Sequence, residues 1–449
     1  MTVPQPLAAS FPVFTEEDWR TAAARARRGS GGNPTAGEQR TFDSPLPPAA
    51  DGQTIGGRAS GERWEIIQRI VGSSTADVAR QIREAVAGGT SAAEVGFAGS
   101  LHPLGRRLPA GSAVALLPAL SDVPVPGFRL YADGVRLPEV ERAIADLGAS
   151  PGPELNISSD PVAARAIRGA SAPMDTAEPQ IETLARLFDQ RAIAGEVVIA
   201  DGRLWHAGGA SEEQELGITL ATVVAYLRLE GVAGRIGVVL AADSDQYRTI
   251  AKFRAMRQLL ARIAEVTGTP LPRIRAETAW RSMSARDPEM NMLRATTAAF
   301  GAAVGGADGI TVLPFDALGG GDRHGQRLAR NTQTILADEA HLMQVGDPAA
   351  GSGAIEAMTT SFAEAAWAQF RTLEAAGGVD AAIAGGSLLA GVARERDRRI
   401  GRLRDGTTRM VGVNAYGGAA EIVTAPAVDD GETCLTFRRL AEGFEGQAR

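Results

Sequence analysis

The chain has 449 residues, of which 44% are hydrophobic, so it can bury the core of one large domain or of two to three ordinary ones. Its 46 basic and 53 acidic side chains give a formal net charge of −7 without a long run of either sign, which argues against nucleic-acid and membrane-surface binding. The single cysteine, Cys434, excludes an intramolecular disulfide and a thiolate zinc cluster.

The spacing of the histidines and the length of the apolar segments also restrict the class of protein. The four histidines lack the short paired spacing of a histidine metal site, so we expect no metal centre. The amino terminus has no basic start followed by an apolar run, and no segment approaches the roughly 20 apolar residues that span a bilayer. These features predict a cytoplasmic protein whose partners are other proteins or small molecules.

Three regions can be distinguished along the chain. Residues 1–60 are predicted to form an extended amino-terminal arm, because residues 28–60 are rich in glycine, proline, serine and threonine and cannot bury enough surface to fold alone. Residues 61–415 carry alternating helix and strand patterns. Residues 416–449 are predicted to form a carboxy-terminal tail.

Short β-branched runs alternate with helices after the arm, which is typical of parallel strands joined by crossover helices. A further apolar run at 113–120 competes for the second strand position. The eight candidate strands are 93–98, 128–133, 154–159, 195–200, 235–242, 272–278, 308–314 and 341–346.

The sequence marks two of the intervening helices well. Helix 211–230 begins with a capping box of Ser211 and Gln214. Helix 245–267 carries apolar residues at helical spacing and ends at Gly268. Eight strands with outer helices favour an α/β fold of the (β/α)₈ TIM-barrel type, with an open doubly wound sheet as the main alternative.

An Asp-x-His pair, Asp322 and His324, follows three consecutive glycines at 319–321. Such a pair can orient an imidazole toward a metal, including the cobalt of cobalamin. The cobalamin motif requires glycine three residues after the histidine, however, and this position is Arg327. Because aspartate is also a common helix N-cap, we interpret the stretch as a loop followed by a capped helix.

Two charged pairs are further candidates. Arg275 and Glu277 alternate on strand 272–278, so both should face the same side, either as functional groups or as part of a buried ion pair. Asp347 and Glu356 could act as an acid and a base, but their surroundings also predict a turn into a helix with a hydroxyl cap. We favour the structural interpretation for the second pair.

An ordered set of segments runs from about residue 205 to about residue 415. The segments are "GGASEEQELGITLA", "IAKFRAMRQLLARI", "DPEMNMLRATTAAFGAAVGGADGITVLPFDA", "RLARNTQTILADE", "GDPAAGSGAIEAMT" and "GVN". In this order they resemble the barrel domain of the methylmalonyl-CoA mutase family. Upstream, "RWEIIQRIVGSSTADVARQIREAVAGG" weakly resembles the family's segment leading into the first barrel strand.

The resemblance implies a barrel through which the pantetheine arm of an acyl-CoA threads, capped by a separate cobalamin-binding domain. It implies further that adenosylcobalamin supplies a radical, while the protein positions the substrate and excludes water.

The departures from the family pattern concern the residues that would do this chemistry. Where catalytic members carry a substrate-contacting histidine and a glutamine on one barrel strand, this chain has Arg275 and Glu277. The tyrosine that guides the migrating group is absent, and Ala59 lies at or near its place. About 35 residues follow the segment at 412–414, too few for a cobalamin domain of the usual size.

Bulky residues on the predicted strands also indicate a filled barrel. We expect Val238, Leu240, Thr311 and Leu313 to point inward and to leave a packed core instead of a substrate tunnel.

A family scaffold without the family's catalytic residues predicts the small, non-catalytic subunit of a methylmalonyl-CoA mutase-type heterodimer. The chain would bind no cofactor itself, adenosylcobalamin being expected in the homologous catalytic partner, which the arm would wrap. Neither nucleic acid nor a membrane is an expected partner. The retained signature residues Asn331, Gln333, Asp347 and Glu356 would then mark the fold.

The alternative is an active acyl-CoA mutase barrel that borrows adenosylcobalamin from a separate cobalamin-binding protein. In that case Arg275, Glu277 and Gln333 would line its pocket. A scaffolding role without a mutase partner is a third hypothesis.

Overall fold

The computed structural model describes residues 57–102, 107–123, 128–134, 136–146, 154–169, 177–416 and 434–445, with isolated residues at 15, 17, 18, 21, 55 and 104. The predicted arm lies almost entirely outside the described residues, and so does the predicted tail except for Tyr416 and 434–445. None of the described helices is long and apolar enough to cross a membrane.

Strands and helices alternate along the barrel. Their bounds are β1 Glu65–Ile70, α1 Thr75–Ala87, β2 Ala92–Gly96, α2 Ala113–Ala119, β3 Arg129–Asp133, α3 Leu137–Asp146, β4 Glu154–Ser158, α4 Pro161–Arg168, α5 Ala177–Gln190, β5 Val198–Asp201, α6 Gly202–Gly208, α7 Glu212–Leu227, β6 Ile236–Ala242, α8 Gln246–Thr267, β7 Ile274–Thr278, α9 Met290–Val304, β8 Gly309–Thr311, α10 Arg323–Thr334, α11 Gly353–Ala375, α12 Val379–Ala384, α13 Ser387–Arg404 and α14 Glu442–Glu445. Short 3₁₀ turns lie at Trp280–Ser282 and Ala317–Gly319, and a π-helical turn at Ile335–Glu339 follows α10.

All eight strands are parallel and pair in the order β4-β3-β2-β1-β8-β7-β6-β5. Backbone bonds between β4 and β5 close the sheet: Ile157 N–H donates to Glu196 O at 2.8 Å, and Ile199 N–H donates to Ser159 O at 3.0 Å. The predicted (β/α)₈ barrel is therefore confirmed, and the open doubly wound sheet is excluded.

Seven of the eight predicted strands overlap observed ones. The prediction for 341–346 is wrong: this stretch is a turn in which His341 has a φ of 56° and Val345 is 56% exposed. The missed strand is β1, whose polar residues interrupt the expected apolar run because its inner face meets charged partners. The competing run at 113–120 is helix α2.

Both well-marked helices are confirmed. At the start of α7, Gln214 N–H donates to the Ser211 hydroxyl at 3.2 Å and Ser211 N–H donates to the Gln214 side chain at 3.0 Å, which is a complete capping box. Helix α8 ends at Gly268, whose φ of 69° is the left-handed conformation that glycine adopts most readily.

Helix α11 packs over α7 and α8 as an outer layer, so α7 is buried on most of its surface. Inside this layer Lys252 of α8 lies 2.7 Å from Glu215 of α7, and Glu215 also accepts a bond from Ala241 N–H of β6 at 2.8 Å. This buried pair fixes two helices to the barrel wall.

Asp160, the N-cap of α4, joins the closing strands to helix α7. Its carboxylate accepts bonds from Ala163 N–H at 2.9 Å, Asp201 N–H at 2.8 Å and the Tyr226 hydroxyl at 2.6 Å. Burial raises the pKa of Asp160 to about 6, because these hydrogen bonds only partly offset the loss of hydration.

Replacing Asp160 with asparagine should change how stability depends on pH. A raised carboxyl pKa means that the folded state binds the proton more tightly, so the wild type should lose stability relative to Asp160→Asn as pH rises from about 4 to about 6, by up to about 3 kcal/mol. Urea unfolding of both proteins across this range measures the difference. Asp189→Asn, at an exposed carboxylate, is the control, and parallel curves for wild type and Asp160→Asn would contradict the prediction.

Candidate functional site

The carboxyl ends of the barrel strands bring charged side chains together inside the lumen, at the end where (β/α)₈ proteins carry their functional residues. Each of these side chains belongs to a residue that is at most 5% exposed. We call this set the upper network: Arg69, Glu94, His102, Asp133, Asp201, Arg203 and Glu277.

Two guanidinium groups connect the carboxylates of the upper network. Arg69 lies 3.0 Å from Glu94 and 2.7 Å from Glu277. Arg203 lies 3.1 Å from Glu94 and 3.0 Å from Glu277, and it pairs with Asp201 at 2.7 Å. Both arginines thus share the same two carboxylates, and the contacts cross the lumen from β1 and β2 to β5 and β7.

His102 provides the remaining partner of the Glu277 carboxylate. Its Nε2 lies 2.5 Å from Oε1 of Glu277, while Oε2 of Glu277 accepts from the two arginines. On the other side of Arg69, the Asp133 carboxylate accepts a bond from the Ser100 hydroxyl. Both oxygens of Glu277 are therefore occupied by protein partners.

The arginines of the upper network hold the Glu94 and Glu277 carboxylates in their ionised forms. Burial alone would raise the pKa of Glu277, but Arg69, His102 and Arg203 outweigh it and hold that pKa well below the usual range. The pKa of Glu94 is lowered in the same way, whereas burial raises that of Asp133. Among the described residues, no group of three or more His, Cys, Asp or Glu side chains could hold a metal ion.

A second ionic layer, the lower network, lies at the amino ends of the strands. Arg275 lies 2.8 Å from Glu196, and its guanidinium carbon is 3.9 Å from the centre of the Tyr131 ring. Tyr131 in turn donates to Glu65 at 3.0 Å, and Arg273 lies 2.7 Å from Glu65. The members of this layer are Glu65, Arg129, Glu154, Glu196, Arg273 and Arg275.

Ile67, Ala92 and Tyr131 form a small apolar cluster of their own inside the barrel. Their strand positions place them between the two networks. Side chains thus occupy the lumen from one end to the other; those of the upper network and of this cluster are buried, whereas Arg129, Glu154 and Arg273 are partly exposed at the amino ends.

The identity of the inward residues differs from the sequence prediction. Val239 and Ala241 stand in register with Arg275 and Glu277 and share the inner face, so Val238 and Leu240 point outward into the core beneath the helices. The predicted inward orientation of these two residues is wrong, because a shift of one residue along a strand exchanges its two faces.

Residues 434–445 lie across the carboxyl-terminal mouth of the barrel. Phe437 packs against Trp280 with ring centres 6.4 Å apart, and Leu440 N–H donates to Arg281 O at 2.9 Å. Leu435 contacts helix α6 at Gly208, and Glu445 accepts a bond from Ala285 N–H at 2.7 Å. This segment covers the upper network.

Only a small cavity remains beneath the segment, of about 10 Å³, which is room for one water molecule. His206 and Arg281 line it, and both contact Asp243, at 3.2 Å and 3.1 Å. Burial and the neighbouring Arg281 lower the pKa of His206 to about 3, so its imidazole is neutral. With so small a volume the cavity has no room for an acyl chain.

The methylmalonyl-CoA mutase family model matches residues 157–439, from β4 to the segment across the mouth and more than half of the chain. The chain belongs to the methylmalonyl-CoA mutase family. The match extends the resemblance seen at about 205–415 in both directions.

Curated relatives specify the branch of the methylmalonyl-CoA mutase family. The probable methylmalonyl-CoA mutase small subunit of Mycobacterium bovis is 39% identical over 309 residues, covering 65% of this chain and 48% of that protein. The methylmalonyl-CoA mutase small subunit of Streptomyces virginiae is 42% identical over 267 residues, covering 56% and 43%. The methylmalonyl-CoA mutase of Cereibacter sphaeroides is 34% identical over 222 residues, covering 46% and 31%.

The two small subunits are thus more similar to this chain than the third relative, which confirms the small-subunit assignment. The chain spans about half the length, or less, of these relatives. A solved structure, Plasmodium falciparum HPPK-DHPS with STZ-DHP, has a TM-score of 0.37 and 12% identity over 68% of this chain and 52% of that one, too low to inform function.

The predicted cap Asp322 and three of the retained signature residues have structural contacts. Asp322 caps α10 by accepting from Gly325 N–H at 2.8 Å. Asp347 and Glu356 both bind Arg254, the latter at 2.7 Å. The Gln333 side chain accepts a bond from the Trp64 indole at 3.2 Å.

The expected hydroxyl cap is wrong in detail. Ser352 stands at the N-cap position of α11 but makes no side-chain capping bond. Instead, the Glu356 carboxylate accepts a bond from Gly351 N–H at 3.0 Å and so supports this turn.

Sequence reasoning missed most of the upper network. Asp133 and Asp201 are the last residues of β3 and β5, which overlap the predicted strands 128–133 and 195–200. Attention to polar residues at strand ends would therefore have found them. Arg69 lies on the unpredicted strand β1. His102 lies between β2 and α2, where no periodicity marks it.

Glu277→Gln should strongly destabilise the protein, since it leaves Arg69 and Arg203 buried with one negative charge fewer. Removing one partner of a buried ionic group costs about 3–5 kcal/mol of unfolding free energy. Urea unfolding monitored by circular dichroism measures the change. Glu265→Gln, which removes an exposed partner of Arg262, is the matched control and should have no measurable effect; equal effects of the two variants would contradict a cooperative upper network.

Proposed function

We propose that this chain is the non-catalytic small subunit of a methylmalonyl-CoA mutase-type heterodimer. It would support a homologous catalytic subunit that carries out the cobalamin-dependent interconversion of methylmalonyl-CoA and succinyl-CoA. The observation that carries the proposal is the barrel lumen, which paired charged side chains fill at both ends.

An acyl-CoA could thread this barrel only by displacing the upper network. Glu277 and Glu94 bridge Arg69 and Arg203 across the lumen, so opening a path would leave several buried charges unpaired. Each buried pair that is broken costs about 3–5 kcal/mol, and the pantetheine arm offers no carboxylates to replace the lost partners. The lumen therefore favours a supporting role.

The alternative function, an active barrel with borrowed cobalamin, would use Arg275, Glu277 and Gln333 in a pocket. All three side chains are buried and already bonded within the protein: Arg275 to Glu196, Glu277 to the upper network and Gln333 to Trp64. Their partners argue for structural roles.

The residues at the mouth do not fit adenosylcobalamin. Its corrin is a broad, flat ring that needs an open surface, whereas Leu435 and Phe437 lie buried across the mouth. The two histidines there, His102 and His206, are buried beside Glu277 and Asp243. We therefore assign the cofactor to the catalytic subunit, and we place the complex in the cytoplasm, where the free thiol of Cys434 would stay reduced.

Substitutions at the alternative pocket residues should leave turnover of the purified heterodimer unchanged within about twofold, because these side chains would not touch substrate. Gln333→Met, a near-isosteric change, and Arg275→Gln, which removes the guanidinium but keeps a polar side chain, are each made in this chain only. Conversion of methylmalonyl-CoA to succinyl-CoA is assayed after gel filtration has verified the complex. A loss of about 100-fold or more with the complex intact would support the active-barrel alternative.

The chain alone should not bind adenosylcobalamin, since its mouth is covered. Ultrafiltration of equimolar protein and cofactor should leave the corrin absorbance in the filtrate. The catalytic subunit, treated in the same way, is the positive control. Stoichiometric retention by this chain would contradict the assignment of the cofactor to the partner.

A further inference from the structure

The outer face of helix α9 exposes apolar side chains from Leu293 onward, while Glu289, the exposed N-cap residue one turn earlier, supplies a charge at its amino end. Leu293 is 57% exposed, Thr297 one turn further is exposed, and Phe300 follows on the same side and is half-buried. The helix has one charged residue, Arg294, whose guanidinium binds Asn291 at 2.7 Å and Val411 O at 2.6 Å.

The apolar surface continues past the amino end of α9. The Arg294 bond to Val411 holds the loop after α13 beside the helix, and Val411 is 50% exposed. Tyr416 is 85% exposed and has a φ of 55°, in the left-handed region. We define the α9 face as Met292, Leu293, Thr297, Phe300, Val411 and Tyr416.

The amino-terminal 54 residues join the barrel at the opposite end of the same helix. Arg58 donates to Ala303 O at 2.7 Å, Gly57 lies against Gly306, and Ile55 N–H donates to Asp347 at 3.0 Å. Residues 417–433 continue from Tyr416 at the amino end. The described residues therefore meet undescribed stretches of chain near both ends of this helix face.

We propose that the α9 face is the surface on which the homologous catalytic subunit docks, an inference that rests on the proposed function. An arm that wraps a partner must start beside it, and the arm starts at the carboxyl end of α9. At 15 residues the helix is only about 22 Å long, so it supplies part of the roughly 800 Å² that each partner buries in a stable complex, and the arm supplies the rest.

Two other exposed apolar residues, Val266 and Leu271, lie outside the α9 face. Val266 follows Glu265, and Leu271 lies in a loop near Arg273 at the amino-terminal end of the barrel. Each stands beside a charged neighbour, which is ordinary for a protein surface.

A charge at the centre of the α9 face tests the proposal. Leu293→Arg and Thr297→Arg, in the full chain, should each weaken binding to the tagged catalytic subunit by about tenfold or more, because the new guanidinium would be buried without a partner. Leu271→Arg adds the same charge at an equally exposed apolar site outside the face and should bind like wild type. Unchanged circular dichroism and melting temperature verify that each variant folds.

The outcomes separate this inference from the proposed function. Wild-type affinity of both α9 variants, with a stable wild-type complex, would overturn the α9 face and leave the heterodimer intact. Failure of the wild-type chain to bind any mutase catalytic subunit would overturn the proposed function itself. Self-association of this chain that Leu293→Arg abolishes, without binding to the catalytic subunit, would assign the face to a second copy.

Discussion

The interior of this barrel depends on one carboxylate, Glu277, which accepts from two arginines and lies against a histidine. The partners come from β1, from the loop after β2 and from helix α6, so a single side chain on β7 connects four parts of the barrel. Partial disruption of such a network costs much free energy, because losing one member leaves the other charged groups buried without a partner. A barrel held in this way keeps its shape but gives up the open axis that a ligand would need.

Charged side chains fill the barrel lumen where a ligand would otherwise pass, and such a difference inside the lumen explains how one scaffold can support different roles. The helices, capping bonds and signature residues around Arg254 and Gln333 determine the outer shape of the barrel. The lumen side chains determine whether anything passes through it. Under the proposed function, the subunit retains an outer surface for a homologous partner while its interior serves stability.

The sequence predicted the barrel because strand and helix periods repeat clearly, and the capping box at Ser211 marked its helix by local hydrogen bonding alone. It failed at β1, where polar residues that serve the lumen break the apolar run, and at 341–346, where an apolar run forms a turn. The inner face of β6 was assigned wrongly because a one-residue shift is invisible without a partner strand. Arg275 and Glu277 were placed correctly on one face, but their partners lie up to 208 residues away in sequence, beyond any local pattern.

Segment 434–445 follows all eight strands in the sequence, so the upper network is covered late during synthesis. A ribosome releases the eight strands before it releases this segment, so the growing chain can close its barrel while the mouth is still open to water. Until Leu435 and Phe437 arrive, the charges beneath them remain hydrated. Full desolvation of the upper network is thus tied to synthesis of this segment, and a chain interrupted before it would expose hydrated charged side chains at the mouth.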